Sequence, residues 1–345
     1  MAVAFDPQRL EVIGAAVPAL EGILLSSTGA AQYSFSATGT LAYAPGAVQS
    51  HSRLVWVDRK GGEKPLAAPA RDYSYPRLSP DGKRIAMGIA DQEIHLWVYD
   101  PLRETLTRLT FEGSTNYFPV WTPDGKRTAF ESNREGPLNL FWQLADGSGG
   151  LERLTTSQYT HNPMSWSPDG QLLAFSELNP TTGFDLWVLR LGDRNAQPLL
   201  RTQFNESAPR FSPDGHWLAY VSDESGRQEI YVLSYPSLRG KWQISTEGGR
   251  EPVWNHNGRE LFYRSGDKMM AVDIATQSDF AAGKPRVLFE GQYEPTVFTA
   301  PNYDVSPDGQ RFLMLKPNEE TAPTQINVVL NWFEELKQKV PTGKN

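Results

Sequence analysis

Trp166-Ser167-Pro168-Asp169-Gly170 is the stretch from which the rest of the chain is read, because the chain repeats it. Clear copies are Leu78-Ser79-Pro80-Asp81-Gly82, Trp121-Thr122-Pro123-Asp124-Gly125, Phe211-Ser212-Pro213-Asp214-Gly215 and Val305-Ser306-Pro307-Asp308-Gly309. Worn copies are Trp254-Asn255-His256-Asn257-Gly258 and Phe35-Ser36-Ala37-Thr38-Gly39. Their glycines stand at 39, 82, 125, 170, 215, 258 and 309, in steps of 43, 43, 45, 45, 43 and 51 residues. Coincidental turns do not keep such a spacing. Pro sets φ for the first corner of a turn, Asp accepts backbone N–H bonds at the second, and Gly takes the positive φ that closes a hairpin.

A large apolar residue precedes each turn, and a short apolar run follows it, as in Ile85-Ala86-Met87, Thr128-Ala129-Phe130, Leu173-Ala174-Phe175 and Leu218-Ala219-Tyr220. Each copy is therefore strand, tight turn, strand. The small Ala of the second strand suits a face where neighbouring sheets approach closely. Third strands carry an aromatic residue, as in Leu54-Val55-Trp56-Val57-Asp58, His95-Leu96-Trp97-Val98 and Asp185-Leu186-Trp187-Val188. A period in the forties with several short strands per copy is the signature of a propeller blade. The expected fold is all-β, a single closed β-propeller of seven four-stranded blades, with six blades and irregular ends as the alternative. A ring leaves no free edges only if its first and last blades are joined. Residues 1–22 are expected to supply N-terminal strands that complete the last blade, 23–332 the blades, and 333–345 a short helix and tail.

Composition narrows the function. Ten Trp, thirteen Tyr and sixteen Phe among 345 residues supply a core. The net charge of −7, without a basic cluster, speaks against nucleic acid and against an anionic membrane surface. With no cysteine, disulfides, thiolate metal sites and thiol nucleophiles are excluded. No run of eighteen apolar residues is present, so no membrane insertion is expected of this chain, and the N-terminus has no signal-peptide pattern.

The Ser-Pro-Asp-Gly turns, with Asn133-Arg134-Glu135-Gly136 and Glu224-Ser225-Gly226-Arg227 between second and third strands, resemble the WD-like repeats of the Tol-system propeller TolB. Leu41-Ala42-Tyr43, Asp146-Gly147-Ser148-Gly149, Lys241-Trp242-Gln243-Ile244-Ser245, Glu260-Leu261-Phe262-Tyr263-Arg264 and Asn331-Trp332-Phe333-Glu334-Glu335-Leu336 resemble the C-terminal propeller of bacterial transmembrane Ser/Thr protein kinases. The resemblance implies a sensor or scaffold on the extracytoplasmic side of a membrane receptor. The kinase's own motifs, a Gly-rich loop with its lysine, His-Arg-Asp and Asp-Phe-Gly, are not in this sequence.

No Gly-x-Ser-x-Gly elbow occurs, and the five histidines, at 51, 95, 161, 216 and 256, do not have the spacing of a helical zinc motif. Asp81, Asp124, Asp169, Asp214 and Asp308 belong to their own hairpins rather than to a carboxylate array. No cofactor and no catalytic residue is expected, and the chain is read as a monomer. Its expected function is non-catalytic binding of a small anionic or polar ligand, or of a protein or peptide. The alternative is a propeller enzyme, a lactonase or lyase with a metal in the central channel. The segments entering each first strand are rich in varied polar and aromatic residues, whereas the hairpins opposite are repetitive. Ligand binding is therefore expected at the channel mouth, by Asp72, Asn116, Tyr117, His161, Asn205, Glu206, Arg250 and Glu251. The other reading of these residues is that they satisfy one another around a water-filled channel.

Overall fold

The computed structural model describes residues 1–24, 30–46, 51–276, 279–296, 300–318 and 325–340, and the end of the tail expected at 333–345 lies outside them. Among the described residues the fold is all-β apart from one helix, Trp332–Lys339, and the chain divides into two units, Met1–His51 with Asn318–Asn345, and Ser52–Pro317.

Among the described residues, the larger unit holds six antiparallel sheets. Sheet A joins Tyr303–Val305 and Arg311–Pro317 to Ser52–Asp58 and Glu63–Pro65. Sheet B runs Tyr73–Leu78, Ile85–Ala90, Ile94–Asp100, Thr105–Arg108, and sheet C runs Asn116–Trp121, Arg127–Ser132, Asn139–Leu144, Glu152–Arg153. Sheet D runs Thr160–Trp166, Leu172–Asn179, Gly183–Arg190, Asn195–Leu200, and sheet E runs Glu206–Phe211, Trp217–Ser222, Glu229–Ser234, Lys241–Gln243. Sheet F runs Arg250–Trp254, Glu260–Ser265, Lys268–Ala275, and the last of these pairs with both Ala281–Ala282 and Arg286–Glu290.

The sequence explains the hairpins atom by atom. In sheet B the Ser79 hydroxyl donates to Asp81 Oδ1 at 2.6 Å and accepts the Arg84 N–H at 2.9 Å. Asp81 Oδ1 also accepts the Lys83 N–H at 3.1 Å, and the Gly82 N–H closes the turn on the Ser79 carbonyl at 2.7 Å. These donors hold the Asp81 carboxyl below its ordinary range, with the Ser79 hydroxyl the largest cause. The same hydroxyl–carboxylate bond recurs at Asp124, Asp169, Asp214 and Asp308, so the turn aspartates are structural.

Alternation along each strand sends side chains to two neighbouring sheets. Between B and C lie Ala86, Leu96 and Val98 against Trp121, Phe130 and Phe141; between C and D, Val120, Ala129 and Leu140 against Trp166, Leu173 and Phe175. Ala174 and Leu186 meet Phe211 and Tyr220 between D and E, and Ala219 and Ile230 meet Trp254 and Leu261 between E and F. Phe262 and Met269 of F meet Phe312 and Val55 of A, and Leu54 and Leu313 of A meet Ile85 and Met87 of B. Ala86, Ala129, Ala174 and Ala219 are all fully buried, each with the pre-turn aromatic of the next sheet.

One expectation is corrected. The sheet begun by the last repeat is completed by Ser52–Asp58, whose seven residues pair with Arg311–Pro317, and not by the N-terminal strands. Ala2–Asp6 and Glu11–Val17 pair with each other. The Ser52–Asp58 strand, read along the chain as belonging to the first worn repeat, carries the right alternation for either place. Pairing is decided by a partner apolar on both faces, here Phe312 and Met314 on one and Leu313 and Leu315 on the other. The worn repeat itself forms a small sheet in the smaller unit, where Leu41–Tyr43 sits between Tyr33–Phe35 and Asn327–Val329.

Hairpins of the larger unit also touch in series. A Cβ on Gly125 would stand 3.5 Å from Pro80, on Gly170 3.6 Å from Pro123, on Gly215 3.3 Å from Pro168 and on Gly258 3.9 Å from Pro213. A Cβ on Gly82 would stand 2.9 Å from Pro307 of sheet A, the tightest of these approaches to a proline. Gly82→Ala and Gly147→Ala both place Ala at positive φ, costing about 1 kcal/mol. Gly147 has open space around its missing side chain. Denaturant melts should therefore show Gly82→Ala less stable than Gly147→Ala by roughly 1 kcal/mol or more, in line with the cost of overpacking. Equal losses would mean that the hairpins of sheets A and B do not press together.

Candidate binding pocket

The innermost strand of most sheets contains a proline preceded by an awkward residue. Tyr75, Phe118, Ala208 and Glu251, each directly before Pro, have φ of 51°, 53°, 54° and 63°. The ladder slips one place at each of these points, between Ser74 and Arg77, Tyr117 and Val120, Ser207 and Arg210, and Arg250 and Val253. These are β-bulges, which bend a strand and re-aim its side chains. One consequence is a buried cluster of Tyr75, Phe118, Met164 and Ala300, with Tyr117 packed edge-on against Tyr75 at 5.8 Å between ring centroids.

The other consequence is a set of six equivalent positions, five of them just beyond a bulge and the sixth in the unbulged first strand of sheet A. Arg77 pairs with Ala86, Val120 with Ala129, Ser165 with Ala174, Arg210 with Ala219, Val253 with Phe262, and Asp304 with Leu313. All six line a pocket of about 320 Å³, so every sheet of the larger unit contributes to it. Its walls are Trp121, Trp166, Trp254 and Phe211, with Pro80, Pro123, Pro168 and Pro213 of the hairpins.

Arg77 is 5% exposed. Its Nη1 donates to the carbonyls of Pro76 at 2.7 Å and Tyr303 at 3.1 Å, and its Nη2 to Pro301 at 2.7 Å. Arg210 Nη1 donates to the Met164 carbonyl at 2.7 Å. The Nε of each arginine is buried and has no acceptor among the described residues. Burial depresses the Arg210 guanidinium to about 9, and the charge of Arg77 acts in the same direction while Asp304 opposes it. Burial likewise lowers Arg77. Asp304 Oδ2 accepts the Leu78 N–H at 2.8 Å. Ser165 Oγ accepts the Phe211 N–H and donates to the Pro209 carbonyl, both at 3.0 Å. The pocket thus presents two guanidinium groups, one carboxylate and apolar walls.

The residues expected to bind at the entrance segments are placed differently from one another. Asn116 is fully buried, donating to the carbonyls of Ile94, Glu112 and Gly113 and accepting from Arg134. His161 is buried between Thr155 and Glu177, each 2.9 Å from a ring nitrogen, and burial lowers it to about 4. Glu251 is buried 3.8 Å from Arg264 and accepts the Asn302 N–H at 2.7 Å. Asn205 is exposed and bonds the Asp223 carboxylate through its backbone N–H and its side chain. Asp72 is half-buried, and its charge, after burial and Glu131, helps to raise Tyr117 to about 12. Arg250 is exposed and, with Glu251, lines a pocket of about 380 Å³ beside Arg264 and Thr296. That pocket contains none of the other six residues. Arg77 and Arg210 were not singled out from the sequence. The available signal was a charge directly after the pre-turn Pro, where Val120 and Val253 stand in other copies.

Glu206 is 1% exposed and accepts the Thr202 hydroxyl at 2.5 Å. Burial raises it from 4.5 to about 7, Thr202 opposing and Asp185 adding. The folded chain therefore holds this proton more tightly than the unfolded one. The stability this provides is fully present below the unfolded value and is lost as pH rises through about 7. Glu206→Gln keeps the acceptor for Thr202 without the charge, so its Tm should exceed that of the native chain at pH above 7 and match it in mild acid. The same change at both pH values would assign the effect to packing.

The family model described as the TolB beta propeller domain matches residues 34–180 and 159–306, well over half of the chain. The chain belongs to the TolB β-propeller family. It is 38% identical over 82 residues to an uncharacterized protein of Agrobacterium fabrum, a match spanning 24% of this chain and 28% of that one. A TolB-type structure from Agrobacterium tumefaciens superposes with a TM-score of 0.66 at 17% identity, covering 79% of this chain and 99% of that chain. TolB of Acinetobacter baumannii gives 0.50 at 17% identity, covering 84% and 79%. An oligogalacturonate lyase solved in complex with manganese gives 0.50 at 15%, covering 81% and 99%. At these identities the likeness is one of fold. Among the described residues no three His, Asp or Glu side chains are grouped as metal ligands, and no helix is long and apolar enough to cross a membrane.

Proposed function

We propose that this chain is a binding module, a closed propeller that holds a ligand where its blades converge and performs no chemistry on it. Closure with six blades in the larger unit is supported by the strand shared between chain ends in sheet A, and by the packing of sheet F on A and of A on B. The observation that carries the binding reading is the pocket to which six equivalent strand positions each give one side chain. A repeat array has no structural need to vary those positions, yet they are Arg, Val, Ser, Arg, Val and Asp. Arg250, exposed at the rim of the pocket of about 380 Å³, is a second point at which a peptide is gripped.

The expected result of a thermal-shift screen of the full chain, with small anions, cations, neutral sugars and short peptides, is stabilisation by at least one class. Mass action sets the size, about 2.7 kcal/mol at a hundredfold excess over Kd. The stabilising compound should be recovered unchanged after prolonged incubation. Turnover would replace this reading with an enzyme, and the absence of any shift would remove it.

The likeness to kinase-linked propellers extends the proposal to the sensing half of a membrane receptor. Sequencing upstream of the coding region tests it: a membrane span and a kinase segment in the same reading frame are the expected finding. An unrelated upstream gene would confine the proposal to a free-standing module.

A further inference from the structure

We infer that the pocket lined by Arg77, Ser165, Arg210 and Asp304 recognises the carboxylate of an organic monoanion with an apolar body. The inference rests on the binding reading above and supplies the ligand's chemical class. Two guanidinium groups and one carboxylate leave a single surplus positive charge in the pocket. Arg77 has spent both terminal nitrogens on carbonyls, but carbonyl oxygens do not neutralise a cation. Neither Nε finds an acceptor among the described residues. A buried charge without its counter-charge is costly, and an incoming anion relieves that cost.

The count of charges selects the anion. One negative charge balances the pocket, whereas a phosphate dianion would leave an excess charge facing Asp304 in a partly desolvated space. The walls select the rest of the ligand. Trp121, Trp166, Trp254 and Phe211 line the pocket together with the hairpin prolines, an apolar surround for a hydrocarbon body. A volume of about 320 Å³ is at the small end for ligand pockets, suited to a compact acid or to the last residues of a peptide. Arg210, the less buried of the two arginines, is the one an entering carboxylate meets first.

Calorimetric titration of the full chain with phenylpropionate, phenylpropanol and inorganic phosphate tests the class. Acetyl-Ala-Phe with a free or an amidated C-terminus distinguishes a free acid from a peptide end as the source. The acid should bind at least roughly tenfold tighter than the alcohol and than phosphate, as a charge-assisted contact requires. Arg210→Gln should lose about tenfold or more of that affinity, and Asp304→Asn, which removes the opposing charge, should gain several-fold. Binding by the free-acid peptide alone assigns the site to a C-terminus and supports the inference equally. Equal binding of acid and alcohol, or an unchanged affinity in folded Arg210→Gln, overturns it. If that variant does not fold, the acid–alcohol comparison in the native chain decides. If another class in the thermal screen binds and neither acid does, this inference fails while the binding module stands; if nothing binds, both fall.

Discussion

A large ring set over a small residue of the preceding sheet is the contact on which the larger unit depends. Trp121 shares a buried cluster with Ala86, and Trp254 with Ala219. Any larger side chain at those alanines would hold the sheets apart. A buried indole N–H is stabilised by an acceptor. For Trp121 that acceptor is the Arg77 carbonyl, and for Trp254 the Arg210 carbonyl, both at 3.0 Å. The interlock that joins one sheet to the next therefore fixes the backbone of the two arginines that charge the pocket. Trp166 occupies the equivalent place over Ala129, where the strand position beside it is Val120, and its Nε1 has no acceptor among the described residues. The indole bond is thus made at the two sheets that present a guanidinium.

The bulges complete this arrangement. A regular strand would alternate faces without interruption, and the residue after Pro would fall out of step with its Ala partner. The extra residue at Tyr75, Phe118, Ala208 and Glu251 absorbs one step at a left-handed φ, an uncommon conformation for residues with side chains. It sends the pre-Pro side chain one way and the post-Pro side chain to the pocket. In three sheets the pre-Pro residue seals the interior with Tyr75, Phe118 or Ala208, and in sheet F Glu251 takes the same place with hydrogen bonds from Asn302 and Thr296.

Much of this was legible in the sequence, and the reason is local. The Ser-Pro-Asp-Gly hairpins are specified by residues within five positions of one another, so their spacing fixed the strand order and the small Ala marked the sheet interfaces. The join in sheet A was not legible, because Ser52–Asp58 has a strand's alternation whatever it pairs with, and its partner lies some 250 residues away. The partners of the entrance residues were not legible for a related reason. Varied polar residues mark a binding face only if they reach solvent, and Asn116, His161, Glu206 and Glu251 are instead consumed by hydrogen bonds within the protein. Residue type cannot tell a loop brace from a ligand contact. Burial can.

The same molecule contains an internal comparison that bears on the arginines of the pocket. Arg264 is as buried as Arg77, at 5% exposure each, and it too gives its terminal nitrogens to carbonyls, those of Glu294 and Tyr293. But Arg264 stands 3.8 Å from the buried carboxylate of Glu251, one cation beside one anion. That pair needs nothing from outside and serves to brace the segment around Thr296 and Asn302. Arg77 is attracted by Asp304 and, more weakly, by Glu251, while Asp304 is the carboxylate that acts on Arg210, and the charge of Arg77 is one of the causes that lower Arg210. If these arginines only braced the fold, a second acid at the position of Val120 or Val253 would neutralise them, or a neutral donor would replace one of them at less desolvation cost. Neither substitution is present. A donor set left with one positive charge in excess, on strands held rigid by the indole bonds, is what preorganised recognition of an anion requires.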